Sequence, residues 1–250
     1  GLRFESPVDP CRVTQASPAR SPGQVRWRAE GLQAARRAEF WKRGPYPIWA
    51  TTPSRRCPAD PRTGPGTETP DMALYVTYPA ATDPSHTGRA QLAPGPLPVI
   101  VFAHANNDSV CQIYRDYTSL HDHWASWGHV VVSVDSTARN CQRGSAQNLR
   151  ERAQDQRAAL QALEQMNADP DSPFFGALDL TRVVLAGHSR GGGASLVNVT
   201  SGQVDPQAVL DLQGVDLTAY GFGAPAIEVP TLGVTAGADV DLHHPWVDAA

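Results

Sequence analysis

The chain has 250 residues, a formal net charge of −4 and 18% charged residues. That length can bury a full hydrophobic core and favours one large α/β domain. The weak acidic balance gives no electrostatic reason to expect a nucleic-acid partner, and the sequence holds no run of about 18 or more apolar residues to span a membrane.

Residues 1–70 are rich in Pro, Arg and Gly and weakly periodic. They are expected to form an irregular N-terminal segment that packs on the core, with one helix over 28–41 that Gly44-Pro45-Tyr46-Pro47 ends. The segment from Arg55 to Pro70 reads as loop. The catalytic domain is expected over 71–250, within a single domain overall. There the pattern changes: Met72 to Tyr78 is strand-like, and Leu97 to Ala103 is a continuous apolar run of the kind buried parallel strands show. Ile113 to Trp127 has helical spacing and stops at Gly128. His129 to Asp135 is a second apolar strand. Ala146 to Met166 reads as a long polar-faced helix carrying Leu149, Ala153, Leu160 and Leu163 on its apolar side. Arg182 to Gly187 is a strand, Gly191 to Val199 a helix, and Ala208 to Leu212 and Thr231 to Thr235 are further strands. Apolar strands alternating with helices imply an α/β fold with a doubly wound, mostly parallel sheet flanked by helices.

Four cysteines, Cys11, Cys57, Cys111 and Cys141, form no C-x-x-C pair and fit no zinc spacing. An even, scattered set suggests two disulfides and an oxidising compartment, hence a secreted or periplasmic protein; free buried thiols are the alternative. Cys111 and Cys141 follow two strands whose loops leave the same edge of a parallel sheet, so they are expected to pair. Cys11 and Cys57 then pair by elimination. Two N-x-S/T triplets, at Asn107 and Asn198, read as chance matches, since Asn198 falls on a helix expected to be buried.

The sharpest chemical signal is Gly187-His188-Ser189-Arg190-Gly191. It sits directly between an expected strand and an expected helix. A tight strand-to-helix turn strains the backbone of the serine and leaves no room for side chains two residues to either side, hence Gly187 and Gly191. The turn lifts the Ser189 hydroxyl above the sheet, and the helix N-terminus aims N–H groups at the reacting centre. A Gly-rich turn with a capping serine is the plain alternative. Phe102-Ala-His-Ala-Asn-Asn107 follows the central strand and supplies a second backbone donor. The amides of Asn106 and Arg190 are expected to form the oxyanion hole. Gly237-Ala-Asp-Val-Asp241 lies past the last strand, where a carboxylate can orient a histidine. Asp239 and Asp241 are both candidates, and Asp216 is a weaker one; a turn or a helix cap is the structural alternative.

The histidine is harder to place. Only His243 and His244 lie beyond Asp241. Residues so close on one turn rarely face each other, so the histidine is expected beyond Ala250, with the last strand and helix of the fold. His104 and His188 sit in motif positions with structural roles, His121, His123 and His129 read as surface or core residues, and His86 lies in a loop without a motif.

With these residues placed, the chain resembles the bacterial α/β-hydrolases that include polyester-hydrolysing cutinases, chlorophyllase-like esterases and platelet-activating-factor-acetylhydrolase-like esterases. The resemblance runs from Gly44 to the C-terminus. It rests on Gly44-Pro-Tyr-Pro47, Pro98-Val-Ile-Val-Phe-Ala-His104, Trp127-Gly-His-Val-Val-Val-Ser-Val-Asp135, Gly187-His-Ser-Arg-Gly-Gly192, Val229-Pro-Thr-Leu232 and Gly237-Ala-Asp-Val-Asp241. It implies an α/β-hydrolase fold and carboxylic-ester hydrolysis without cofactor or metal. It also favours Asp241 over Asp239 as the catalytic acid. The chain departs from the family in having Ala105 where a glycine is usual, Asn106 in place of an aromatic, and no aromatic in Asp211-Leu-Gln-Gly-Val215. Those departures argue against polyester cleavage. The expected function is a serine esterase acting through a Ser-His-Asp acyl-enzyme on a small or lipid-like ester, as a monomer. The alternatives are a non-catalytic binding protein of the same fold, or an amide or thioester hydrolase or acyltransferase.

Overall fold

The computed structural model describes residues 40, 42–51, 54–55, 72–81, 91–106, 114, 116–139, 144–223 and 226–235. Apart from Phe40, the helix expected over 28–41 lies outside them. Eight strands form one sheet: β1 (Ile48–Thr51), β2 (Ser54–Arg55), β3 (Met72–Pro79), β4 (Leu97–Ala103), β5 (Val130–Val134), β6 (Leu178–His188), β7 (Ala208–Leu212) and β8 (Thr231–Val234). The order across the sheet is β1-β3-β5-β4-β6-β7-β8. From β5 to β8 all neighbours are parallel. β3 is antiparallel to β5, and β1 is antiparallel to β3. β2 continues the β1 register along β3. Among the described residues strand structure therefore begins at Ile48, and Arg55 belongs to it rather than to a loop. Backbone pairing at the sheet edge, not an apolar run, recruits these residues.

Three helices flank the sheet among the described residues: α1 (Thr118–Ser126), α2 (Ala146–Ala168) and α3 (Arg190–Thr200). Alternation along β4 shows the layering. Val99, Val101 and Ala103 face α2, in a cluster with Ala158, Ala159 and Leu163. Ile100 and Phe102 face α1, with Ala125 and Val131. Both faces are thus covered, which explains why these strands read as unbroken apolar runs. The α/β fold, with a mostly parallel, doubly wound sheet, is as expected.

Two helices differ from expectation. α1 starts at Thr118, later than Ile113; Tyr114, Asp116 and Tyr117 form turns. The N-terminal position Tyr117 makes no capping bond, since a phenol hydroxyl lies too far from its own backbone to reach the first-turn amides; it bonds His188 instead. α2 runs from Ala146 to Ala168 behind the Ser145 cap, whose hydroxyl accepts from the Asn148 amide. Its polar side is not simply a solvent face: Glu151, Arg152, Asp155 and Gln156 are buried. α2 packs closely on α3 and on the ends of β4 and β5, so its polar residues meet protein.

The chain passes from β4 to β5 on one side, then crosses back to β6 on the other side of β4. That reversal makes a switch point between the carboxyl ends of β4 and β6, the place where open α/β sheets form a crevice for ligands. The register pairs Ala103 with Gly187 there. No helix among the described residues is long and apolar enough to cross a membrane.

Candidate active site

Ser189 stands at the end of β6 and opens α3, with φ 53° and ψ −121°. A non-glycine residue rarely adopts this backbone, which persists only where its surroundings enforce it. Here they do. The Ser189 amide donates to Leu212 O at 3.1 Å, and the amides of Gly193 and Val215 donate to Ser189 O at 3.1 and 3.2 Å. A Cβ on Gly187 would overlap the Gly191 carbonyl, and one on Gly191 would overlap the carbonyl of Ala103. The elbow is therefore pressed against the end of β4 on one side and the end of β7 on the other. Arg190 is the first residue of α3, so its amide lies in the first turn of that helix, where N–H groups point out of the helix end.

The loop after β4 lies against this elbow. His104 is fully buried: its Nδ1 donates to Ala105 O at 2.7 Å, and its Nε2 accepts from the Ser136 amide at 3.0 Å. Both ring nitrogens are thereby used in a neutral tautomer. Burial, with the nearby Arg152 charge, pushes its pKa down to about 4. The Ala105 amide donates to the Tyr117 hydroxyl at 3.3 Å, and that hydroxyl also bonds His188 Nδ1 at 2.8 Å. Tyr117 thus ties the loop to the elbow, with its ring against Phe102 at 4.7 Å. Asn106 follows, partly buried, its Oδ1 accepting from Arg152 Nη2 at 3.4 Å.

Behind the loop is a buried ionic group. Arg139 lies 3.3 Å from Glu151 and 3.5 Å from Asp155. Arg152 donates to His104 O at 3.1 Å and to Asn148 Oδ1 at 3.3 Å. Burial lowers the Arg152 pKa to about 10, which leaves it charged at neutral pH, and burial raises the Asp155 pKa to about 6.

Several candidates read from the sequence come together here: Ser189, Arg190, Gly187 and Gly191 at the elbow, and Asn106 on the facing loop. Asp239, Asp241, His243 and His244 lie outside the described residues, as do Cys11, Cys57, Cys111, Cys141, Asn107 and His86. Asp216 is engaged locally: its carboxylate accepts from the Thr218 amide and hydroxyl, both at 2.8 Å, in the turn that leads into Thr218–Tyr220. Asn198 is fully buried, bonded to Ala153 O, Gln156 Oε1 and Arg157 Nη1, which leaves no room for a glycan. Tyr117 and Arg152 are the residues that sequence reasoning missed. Their only sequence trace is an aromatic and a charge on helical segments, where such residues are ordinary.

A search of curated proteins finds no match. A family model described as PET hydrolase-like matches residues 112–244, more than half of the chain. That stretch carries the nucleophile motif, its strand and helix, and the Gly237-Ala-Asp-Val-Asp241 segment. The switch-point crevice, the strained serine and this match together place the chain in the PET hydrolase-like family of α/β-hydrolases, which are ester hydrolases.

Proposed function

We propose that the chain is a secreted or periplasmic serine esterase that cleaves a small or lipid-like ester through a Ser-His-Asp acyl-enzyme mechanism. The observation that carries this reading is the backbone of Ser189, held at φ 53° between two close-packed glycines at the mouth of the switch-point crevice. A turn that served only to reverse the chain would not need a strained serine at its tip.

In this reading the Ser189 hydroxyl attacks the ester carbonyl, and a histidine supported by Asp241 takes its proton. The carbonyl oxygen becomes an oxyanion that the Asn106 and Arg190 amides bind. Commitment of the Ala105 amide to Tyr117 supports assigning the loop's donor role to the next amide, Asn106. The alcohol leaves with the proton from histidine. Water then attacks the acyl carbon as it gives a proton to the same histidine; the histidine returns that proton to Ser189 Oγ as the acyl–oxygen bond breaks, and the acid leaves. The paired-cysteine reading supports an oxidising compartment. The absence of an aromatic in Asp211-Leu-Gln-Gly-Val215 favours small or lipid-like esters over polyesters.

An organophosphonate probe tests the assignment: it should label Ser189, and Ser189→Ala should lower kcat by roughly 10⁴- to 10⁶-fold, since members of such a triad act as a unit. Ester turnover undiminished in Ser189→Ala would overturn it. No labelling of the complete enzyme, catalytic histidine included, would favour a binding protein of the same fold.

A further inference from the structure

The oxyanion loop carries a buried charge behind it that the acyl-enzyme chemistry does not use. Arg152 is 0% exposed. Burying a guanidinium is costly unless its geometry returns the lost hydration, and a side chain that only covered the sheet would be better apolar. Its three nitrogens all point to acceptors. Nε reaches Asn148 Oδ1 on its own helix, Nη1 reaches His104 O at 3.1 Å and Nη2 reaches Asn106 Oδ1 at 3.4 Å. One planar, rigid group therefore holds both residues that flank Ala105.

The peptide between Ala105 and Asn106 matters most. Its carbonyl, Ala105 O, accepts from His104 Nδ1 at 2.7 Å. In a trans peptide the N–H points opposite to the C=O. The direction of the Asn106 amide is thus set by His104, whose backbone carbonyl Arg152 grips. His104 is further locked by the Ser136 amide at 3.0 Å. The Gly191 backbone closes the loop from the elbow side, with room for no side chain. Arg152 thus reaches the peptide through two routes, the His104 carbonyl and the Asn106 side chain.

We propose that Arg152 is a positioning residue for ester hydrolysis: its buried guanidinium holds the Ala105–Asn106 peptide in the orientation that binds the oxyanion. This rests on the reading of Ser189 as nucleophile and the Asn106 amide as donor. A misplacement of the donor by a fraction of an ångström weakens transition-state binding while leaving the ground-state ester contacts largely unchanged. A guanidinium that served only as a helix-to-sheet staple would affect folding and not the balance between kcat and KM.

The test uses the complete enzyme, catalytic histidine included, with a p-nitrophenyl ester, and an alkyl boronic acid that forms a tetrahedral adduct with the serine. Arg152→Met should lower kcat by about 10- to 100-fold with KM within about two-fold, the loss expected when a reacting-centre donor shifts slightly. Boronate affinity should fall in step with kcat, and Arg152→Lys should recover part of both. A folded Arg152→Met protein with unchanged kcat and boronate affinity overturns the proposal, as does a kcat loss without loss of boronate affinity. If Arg152→Met does not fold, Asn106→Ala carries the test. It removes the Nη2 acceptor and should lower kcat and boronate affinity together by about 3- to 10-fold; unchanged values overturn the proposal. Phosphonate labelling of Ser189 in the complete, unsubstituted enzyme separates the two failures. Without labelling, the nucleophile reading fails and this proposal with it; with labelling, only the role of Arg152 is at stake.

Discussion

Gly191 approaches the end of β4 so closely that a Cβ at that position would overlap the Ala103 carbonyl and stand 2.7 Å from His104 O. Ala103 and His104 lead into the loop that carries Asn106, and Gly191 lies two residues after Ser189. The two halves of the site are therefore held together by backbone against backbone. Neither atom set is the end of a flexible side chain, so neither can swing away.

Gly191→Ala should force the loop and the elbow apart. Overpacking of this kind costs about 1–3 kcal/mol, and occasionally more where backbone must move. Thermal unfolding should show a lower midpoint, and phosphonate labelling of the folded fraction should be slower. Unchanged labelling with unchanged stability would mean that the contact has no part in the site.

Strain at Ser189 makes a second expectation separable from catalysis. Glycine adopts φ 53° and ψ −121° far more readily than any residue with a Cβ. Ser189→Gly and Ser189→Ala should both be inactive, yet the glycine variant should be the more stable by about 1 kcal/mol, the low end of the cost of a strained non-glycine residue. Denaturant unfolding of the pair decides it. Equal stability, or a more stable alanine variant, would show that the elbow is not strained.

Asp211 gives a pH dependence. It lies at the end of β7, 1% exposed, against Gly192 and Gly214, and its Oδ1 has no hydrogen-bond partner among the described residues. Burial raises its pKa to about 6, partly offset by a bond from the Gly214 amide. The folded protein therefore holds this proton more tightly than the unfolded chain, where a carboxyl titrates near about 3.9. The resulting stability is complete below the unfolded value and is lost as pH rises through about 6. Asp211→Asn should flatten the stability profile between about pH 4 and pH 7 and be the more stable protein near pH 8, by at most roughly 2–3 kcal/mol. Asp155, also raised to about 6 by burial, has the same sign, so some slope remains. A variant that is less stable near pH 8 would show that the ionised carboxylate is needed under the elbow.

The elements most readable from sequence were those whose signal is local. Leu97 to Ala103, apolar throughout, and Val130 to Val134, apolar but for Ser133, announce strands covered on both faces. Gly187 and Gly191 announce the elbow because the turn excludes a Cβ at both positions. Less was readable where a partner distant in sequence decides the outcome. Ile48–Thr51 has no strand pattern of its own and joins the sheet by pairing with β3. His121 reads from sequence as either a surface or a core residue of a helix. It is fully buried among the rings of Tyr75, Phe102, Tyr117 and Trp124, with its pKa pushed down to about 4 by that burial.

Sequence by itself therefore determined the fold class, the central strands, the strand-to-helix turn at Ser189 and the loop that faces it. Those depend on hydrophobic period and on the space beside individual residues, which neighbours in the chain reveal. Only the tertiary structure decided what the polar residues do. Glu151, Arg152 and Asp155 have the composition of a solvent-facing helix stripe, and nothing near them in the chain marks them otherwise. They are buried because α2 lies against the ends of β4 and β5, and their charges are then satisfied by Arg139, Asn148, His104 and Asn106. A charge in water and a charge under an oxyanion loop are the same residue in the sequence; the difference is the dielectric and the partners that folding brings to it.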